Sequence, residues 1–194
     1  MSAVRCTSVS ALLCAGLGLA GCASPPGAAD YAQEQPPLAL ETFLSGPLTA
    51  HGLFLDRAGQ VQRRFSVALQ GHWTQGPDGQ PQGRLEEQFT YLDAAHRGQT
   101  QQRVWRLRRL GESQGLVRYE GRADDVVGTA EGELAGNTLH WRYRLRLPVD
   151  GHEIEVDMDD WMVLMTPGLL LNHTVMSKWG VRLGEVQITF AKRD

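Results

Sequence analysis

The sequence predicts an all-β protein: an antiparallel up-and-down β-barrel or half-barrel of about 8–10 strands, with a short N-terminal helix. Three observations lead there. Apolar and polar residues alternate along successive segments, the period of a half-buried strand. Gly, Pro, Asp and Asn turn signals separate those segments at spacings of roughly 8–14 residues, the rhythm of a meander. One segment, 139–164, is a hairpin whose register can be written down directly.

That hairpin turns at Asp150-Gly151, a dipeptide that supplies the positive φ angles of a type I′ turn. With a two-residue loop there, Leu147 faces Ile154, Leu145 faces Val156 and Tyr143 faces Met158. On the opposite face Arg146 meets Glu155, Arg144 meets Asp157 and Arg142 meets Asp159. One side is apolar and the other is a ladder of opposite charges, each cross-strand pair contributing about 0.2–1 kcal/mol. A slip of one residue would drive arginines into the core, so the register is well specified. Asp160 breaks the pattern, because it falls on the apolar face opposite Trp141.

The chain has 194 residues, of which 1–21 read as a signal peptide. Arg5 supplies a basic start, Ala11 to Ala20 a short apolar stretch, and Leu19-Ala20-Gly21-Cys22 a small-residue close before a cysteine. That stretch is too short to span a bilayer. The tetrapeptide resembles the lipobox of bacterial lipoproteins, in which the cysteine becomes the acylated N-terminus. Cys22 is therefore the expected lipidation site. Ala23 in place of Asp implies, by the same resemblance, an outer-membrane lipoprotein facing the periplasm of a Gram-negative bacterium.

Cys6 and Cys14 leave with the signal, so Cys22 is the single mature cysteine and no disulfide is expected. Losing Arg5 moves the formal charge from −3 to −4. A mildly acidic surface argues against nucleic acid as a partner. The expected partner is the membrane, through the acyl anchor. Oligomeric state is not legible.

Residues 22–38, rich in Pro, Ala and Gln, read as a flexible tether that stretches to roughly 50–60 Å. The folded domain is expected over 39–194. Leu40, Phe43 and Leu44 have the spacing of a helical turn or two before Gly46-Pro47. Strands follow over 48–55, 61–73, 84–92, 101–110 and 115–123. A glycine-marked stretch (Gly121, Gly128, Gly132 and Gly136) then suggests bulges or close backbone approach. After the hairpin come 169–176 and a last strand carrying Val186, Ile188 and Phe190.

Candidate chemistry is sparse. Asp160 on a core-facing position needs a cation, donors or a proton. It reads either as a polar anchor for a ligand or as a structural partner for Trp141, a tyrosine, or an inward Arg106 or Arg108. Asp124-Asp125 with Gly121 and Gly128 reads either as a solvated turn or as a loop that binds a cation or closes over a pocket. The acidic run from Glu153 to Asp160 is explained by the basic strand beside it. Alternate strand residues, about 6.6–7 Å apart, do not wrap one ion, so no metal is expected. The histidines lack zinc spacing, and no cofactor motif, G-x-S-x-G or P-loop occurs. An enzyme reading therefore lacks a nucleophile, and no catalytic residue is assigned. Five tryptophans either fill the barrel or line a cavity for an apolar molecule. The candidate ligand-lining set is Asp160, Trp141, Trp161, Trp73, Tyr143 and Asp125.

As a set, several motifs carry a resemblance. They are Asp56-Arg57-x-Gly59, Arg63-Arg64-Phe65, Gly71-x-Trp73, Gly121-x-Ala123-x-Asp125-Val126 with Gly128, Leu147-Pro148-Val149-Asp150-Gly151, Asp159-Asp160-Trp161-Met162 and Met176-Ser177-Lys178. Over roughly residues 38–191 the chain resembles the bacterial lipoproteins of domain-of-unknown-function family 3833. The resemblance implies a lipocalin-like architecture and transfers no catalytic residue. Family genes often lie near enzymes that modify fatty acids, which implies a lipid-related role. Gly71-x-Trp73 is similar to the lipocalin G-x-W but falls on the second strand rather than the first. The leading expectation is a barrel that binds a lipid or fatty acid. The alternatives are an envelope assembly module with a filled barrel and an apolar patch around Leu169 to Leu171, or a lipid-modifying enzyme using a buried carboxylate.

Overall fold

The computed structural model describes residues 25–149 and 151–193. Residues 1–21, read from sequence as a signal peptide, Cys22 and Asp150 of the turn dipeptide lie outside the described residues. Ten antiparallel strands form a closed barrel in sequence order. They are β1 (Gly46–Asp56), β2 (Val61–Gln75), β3 (Pro81–Tyr91), β4 (Thr100–Ser113), β5 (Leu116–Arg122), β6 (Ala130–Ala135), β7 (Thr138–Val149), β8 (His152–Thr166), β9 (Leu169–Lys178) and β10 (Val181–Lys192). Each strand pairs with its neighbour, and β1 pairs with β10 to close the circle. Closure removes both free edges of the sheet.

The β7–β8 register is the one expected, from Tyr143 opposite Met158 to Trp141 opposite Asp160. Gly151 has φ +79° at the turn. The outward ion pairs, however, run diagonally. Arg144 reaches Asp157 at 3.3 Å and Glu155 at 3.5 Å. Arg142 turns to Glu133 on β6, while Asp159 Oδ1 is hydrogen-bonded with His140 Nε2 at 2.8 Å. Strand twist skews side chains toward diagonal neighbours, and long arginines follow it.

Two strands are short. β5 has 7 residues and β6 has 6, against 14 in β4 and 12 in β7. The 123–129 loop fills the space they leave. Arg146 N donates to Asp125 O at 2.8 Å and Val127 N to Arg144 O at 2.9 Å, so the loop continues the wall along β7. Gly121 and Gly132 have a different task. A Cβ on Gly132 would lie 2.2 Å from the Trp141 ring, and one on Gly121 2.5 Å from it. The two glycines form the niche that lets this indole lie flat against the inner wall.

A short helix, α1 (Leu40–Phe43), plugs one end of the barrel. Leu40, Phe43 and Leu44 are buried there. Leu44 O approaches the wall so closely that a Cβ at Gly71 would lie 1.6 Å from it. Tyr119 Oη donates to Glu41 Oε1 at 2.9 Å and ties the plug to β5. Above the plug, Leu48, Leu139, Leu170 and Val156 are almost completely buried, each contributing about 1.5–3 kcal/mol by leaving water.

The tether expected over 22–38 is in part a packed segment. Ala28–Tyr31 forms a 3₁₀ turn against β6 and β7, with Ala28 and Leu38 buried. Leu38 N donates to Gly136 O at 2.8 Å. Gly136 has φ +54°, and a Cβ there would lie 1.9 Å from Tyr31 O. The Tyr31 ring meets Trp161 edge-on at 5.8 Å. Backbone contacts to a glycine turn hold this segment, which is why its lack of hydrophobic period was misleading.

Candidate functional site in the barrel interior

The barrel is hollow. A cavity of about 910 Å³ runs along its axis from the plug residues Leu40 and Leu44 to the opposite end. Its walls are aliphatic and aromatic, with Leu85, Phe89, Trp105, Val156, Met158 and Phe190 among them. Its mouth is rimmed by residues near the β1–β2, β3–β4, β5–β6 and β7–β8 turns: Arg63, Gln101, Asp124 and Val149. The filled interior expected of an assembly module is not what forms.

Five ionisable side chains, Glu87, Arg103, Asp125, Tyr143 and Asp160, form an inner tier in this wall, apart from Arg63, Asp124, Arg146 and Glu153 nearer the mouth. Glu87 on β3 lies directly opposite Arg103 on β4. Arg103 donates from Nε and Nη2 to Asp125 Oδ2 at 2.9 and 2.5 Å, which pins the 123–129 loop to β4. Asp160 on β8 accepts hydrogen bonds from Asn172 Nδ2 and from Thr174 Oγ1, the latter at 3.0 Å, both on β9. Tyr143 completes the tier, with its ring against Trp105 at 5.4 Å.

The Arg103 guanidinium therefore faces two carboxylates, Glu87 and Asp125, and Asp160 depends on Asn172 and Thr174. Burial pushes the Glu87 carboxyl up to about 7, the Arg103 charge opposing and the Asp125 charge adding to the rise. Burial likewise lifts Asp160 to about 7, against the pull of its bonds from Asn172 and Thr174. Burial and then the Asp160 charge raise the Tyr143 phenol, so it stays a neutral donor. For Arg103 burial works downward, but Glu87, Tyr143 and Asp125 more than offset it. Two oxygens of the cluster, Glu87 Oε2 and Asp125 Oδ1, are buried without a hydrogen-bond partner. Such atoms cost roughly 1–3 kcal/mol each when left unmet.

Of the residues singled out from sequence, Asp160, Trp141, Tyr143 and Asp125 line the cavity. Trp161 and Trp73 do not. Trp161 follows inward Asp160 by one residue and so points outward, stacked on the His140 ring at 3.9 Å. Trp73 packs over Gly83, where a Cβ would lie 2.8 Å from its ring, beyond the cavity lining. Arg106 and Arg108, offered as partners for Asp160, face solvent and bind Asp124 and Asp78 instead. Glu87 and Arg103 were missed. Both share strand parity with inward neighbours, Glu87 with Leu85 and Phe89, Arg103 with Trp105 and Leu107. Among the described residues no histidine lines the cavity, and no three His, Cys, Asp or Glu side chains converge as a metal site. The apolar patch expected at Leu169 to Leu171 is split, since Leu170 is buried and Leu171 exposed.

The fold and the interior define a lipocalin-like barrel, plugged at one end by a helix and hollow along its axis. Among solved structures it is similar to the S-type phycobiliprotein lyase CPES from Guillardia theta. That match has 10% sequence identity and a TM-score of 0.61, and covers 88% of this chain and 99% of that one. At that identity the likeness concerns the fold alone. The chain belongs to DUF3833, a family described as proteins of unknown function, whose model matches residues 16–192. No curated protein matches it.

Proposed function

We propose that this protein is a membrane-tethered lipoprotein whose barrel holds a small hydrophobic molecule of lipid type. The observation that carries the reading is the axial cavity of about 910 Å³ with its aliphatic and aromatic wall. Spaces of this size and lining are the usual form of small-molecule sites. The anchor is assigned to Cys22 on the strength of Leu19-Ala20-Gly21-Cys22. Residues 23–27 then separate the acyl chains from Ala28, a reach of at most roughly 18 Å. Because the packed N-terminal segment lies at the plugged end, so short a leash holds that end near the membrane and turns the mouth away from it.

Titration with N-phenyl-1-naphthylamine, a neutral apolar fluorophore, tests the cavity in protein stripped of co-purified lipid. Saturable one-site binding is expected. It weakens at least tenfold in the double variant Leu145→Trp, Val156→Trp, which places two indoles in mid-cavity. Absent or variant-insensitive binding in a folded protein contradicts the reading. Incorporation of labelled palmitate, and its loss in Cys22→Ser, tests the anchor separately.

A further inference from the structure

The polar tier inside the barrel has more acceptors than donors, and that imbalance selects a ligand. Within this tier Glu87, Asp125 and Asp160 contribute three carboxylates and Arg103 the one guanidinium, while Arg63, Arg146, Asp124 and Glu153 line the cavity nearer its mouth. Arg103 is already committed. Two of its nitrogens donate to the same oxygen, Asp125 Oδ2, which leaves Asp125 Oδ1 buried and unmet. Across the β3–β4 ladder Glu87 Oε2 is unmet as well, on a residue only 9% exposed. Asp160 is supplied by Asn172 and Thr174 and does not need the same donor.

We infer that the apolar molecule in this cavity carries a cationic or hydrogen-bond-donating group, such as an amine or hydroxyl, which seats between Glu87 Oε2 and Asp125 Oδ1. The inference rests on the cavity reading above and narrows it to a head-group class. An amine or hydroxyl satisfies acceptors that otherwise stay empty, whereas a free fatty-acid carboxylate adds a fourth anion beside them. Buried polar groups reject a ligand that leaves them unpaired more strongly than a hydrocarbon wall rejects a changed chain. The Tyr143 hydroxyl lines the same cavity as a neutral group able both to donate and to accept. The raised carboxyl of Glu87 has the same origin, a buried acid beside too little positive charge. A bare metal ion fits poorly, because the Arg103 guanidinium is bonded to the same Asp125 carboxylate and no third ligand converges among the described residues.

Three amphiphiles with one chain and different heads provide the test: decylamine, decanol and decanoate. Each displaces N-phenyl-1-naphthylamine from the delipidated protein at pH 8. The amine and the alcohol are expected to bind at least tenfold more tightly than the carboxylate, about 1.4 kcal/mol. In Glu87→Gln with Asp125→Asn the gap between amine and carboxylate closes to within about threefold. The ranking on the unmodified chain stands by itself if that variant does not fold. Equal displacement by all three leaves a hydrocarbon-binding barrel and overturns the head-group inference alone. Decanoate binding as tightly as decylamine, or more tightly, does the same. Failure of the fluorophore to bind at all overturns the cavity reading, and the inference with it.

Discussion

Acids and arginines occur both on the outer face of the β7–β8 hairpin and inside the barrel, and the two sets obey different rules. Outside, Arg144, Glu155 and Asp157 are about half exposed and exchange partners along the strand twist. Water screens them, and an exposed pair contributes roughly 0–1 kcal/mol. Inside, the Arg103 guanidinium is set between Glu87 and Asp125 in an apolar wall, with two of their oxygens unmet. Desolvation dominates there, and losing the cation leaves the acids uncompensated. The outer set secures register. The inner set is costly to fold around, because desolvated charges short of partners oppose folding.

The sharpest way to break this comparison is Arg103→Leu. It strands Glu87 and Asp125 and releases the 123–129 loop, so a loss of about 3–5 kcal/mol is expected in urea unfolding. A loss under about 1 kcal/mol would place Arg103 with the surface charges. Next comes Gly132→Val, which drives a side chain into the Trp141 ring. It should cost about 2–3 kcal/mol and shift tryptophan emission, because the indole leaves its niche.

The third expectation concerns pH. Glu87 and Asp160 lie at about 7, above their ordinary values of 4.5 and 3.8. Their contribution to stability is therefore full below about pH 4 and is lost as pH rises through 7. Arg103, Asp125 and Trp105 face Glu87, while Asn172, Thr174, Asp159, Glu87 and Tyr143 surround Asp160. A fall of about 2.5 kcal/mol for each of the two groups between pH 5 and pH 8 is expected. The double variant Glu87→Gln, Asp160→Asn flattens it, and unchanged pH dependence in that variant refutes the assignment. The smallest effect belongs to the outer face. Arg144→Ala should cost less than about 1 kcal/mol, and still less in high salt.

The sequence made the hairpin legible residue by residue, since a two-residue turn and a period of two leave no freedom in register. Asp160 was visible for the same reason. Trp161 was visible too, for its parity already placed it outside; grouping tryptophans by type hid that. The Arg103–Asp125 contact was not legible. Asp125 sits in a loop, and nothing in a sequence period says which strand a loop side chain will reach. Neither was the packing of residues 28–38, which depends on backbone meeting backbone at Gly136 rather than on an apolar face. Closure could be argued from the length of the meander, but the hollow interior required side-chain positions from all ten strands.

A carboxyl-carbon NMR titration of Glu87 and Asp160 tests the central claim most directly, that apolar walls enclose acids lacking enough positive charge. Midpoints near 7 for both are expected, with that of Glu87 falling when decylamine is bound. Midpoints near the ordinary 4.5 and 3.8, unmoved by the amine, would contradict it.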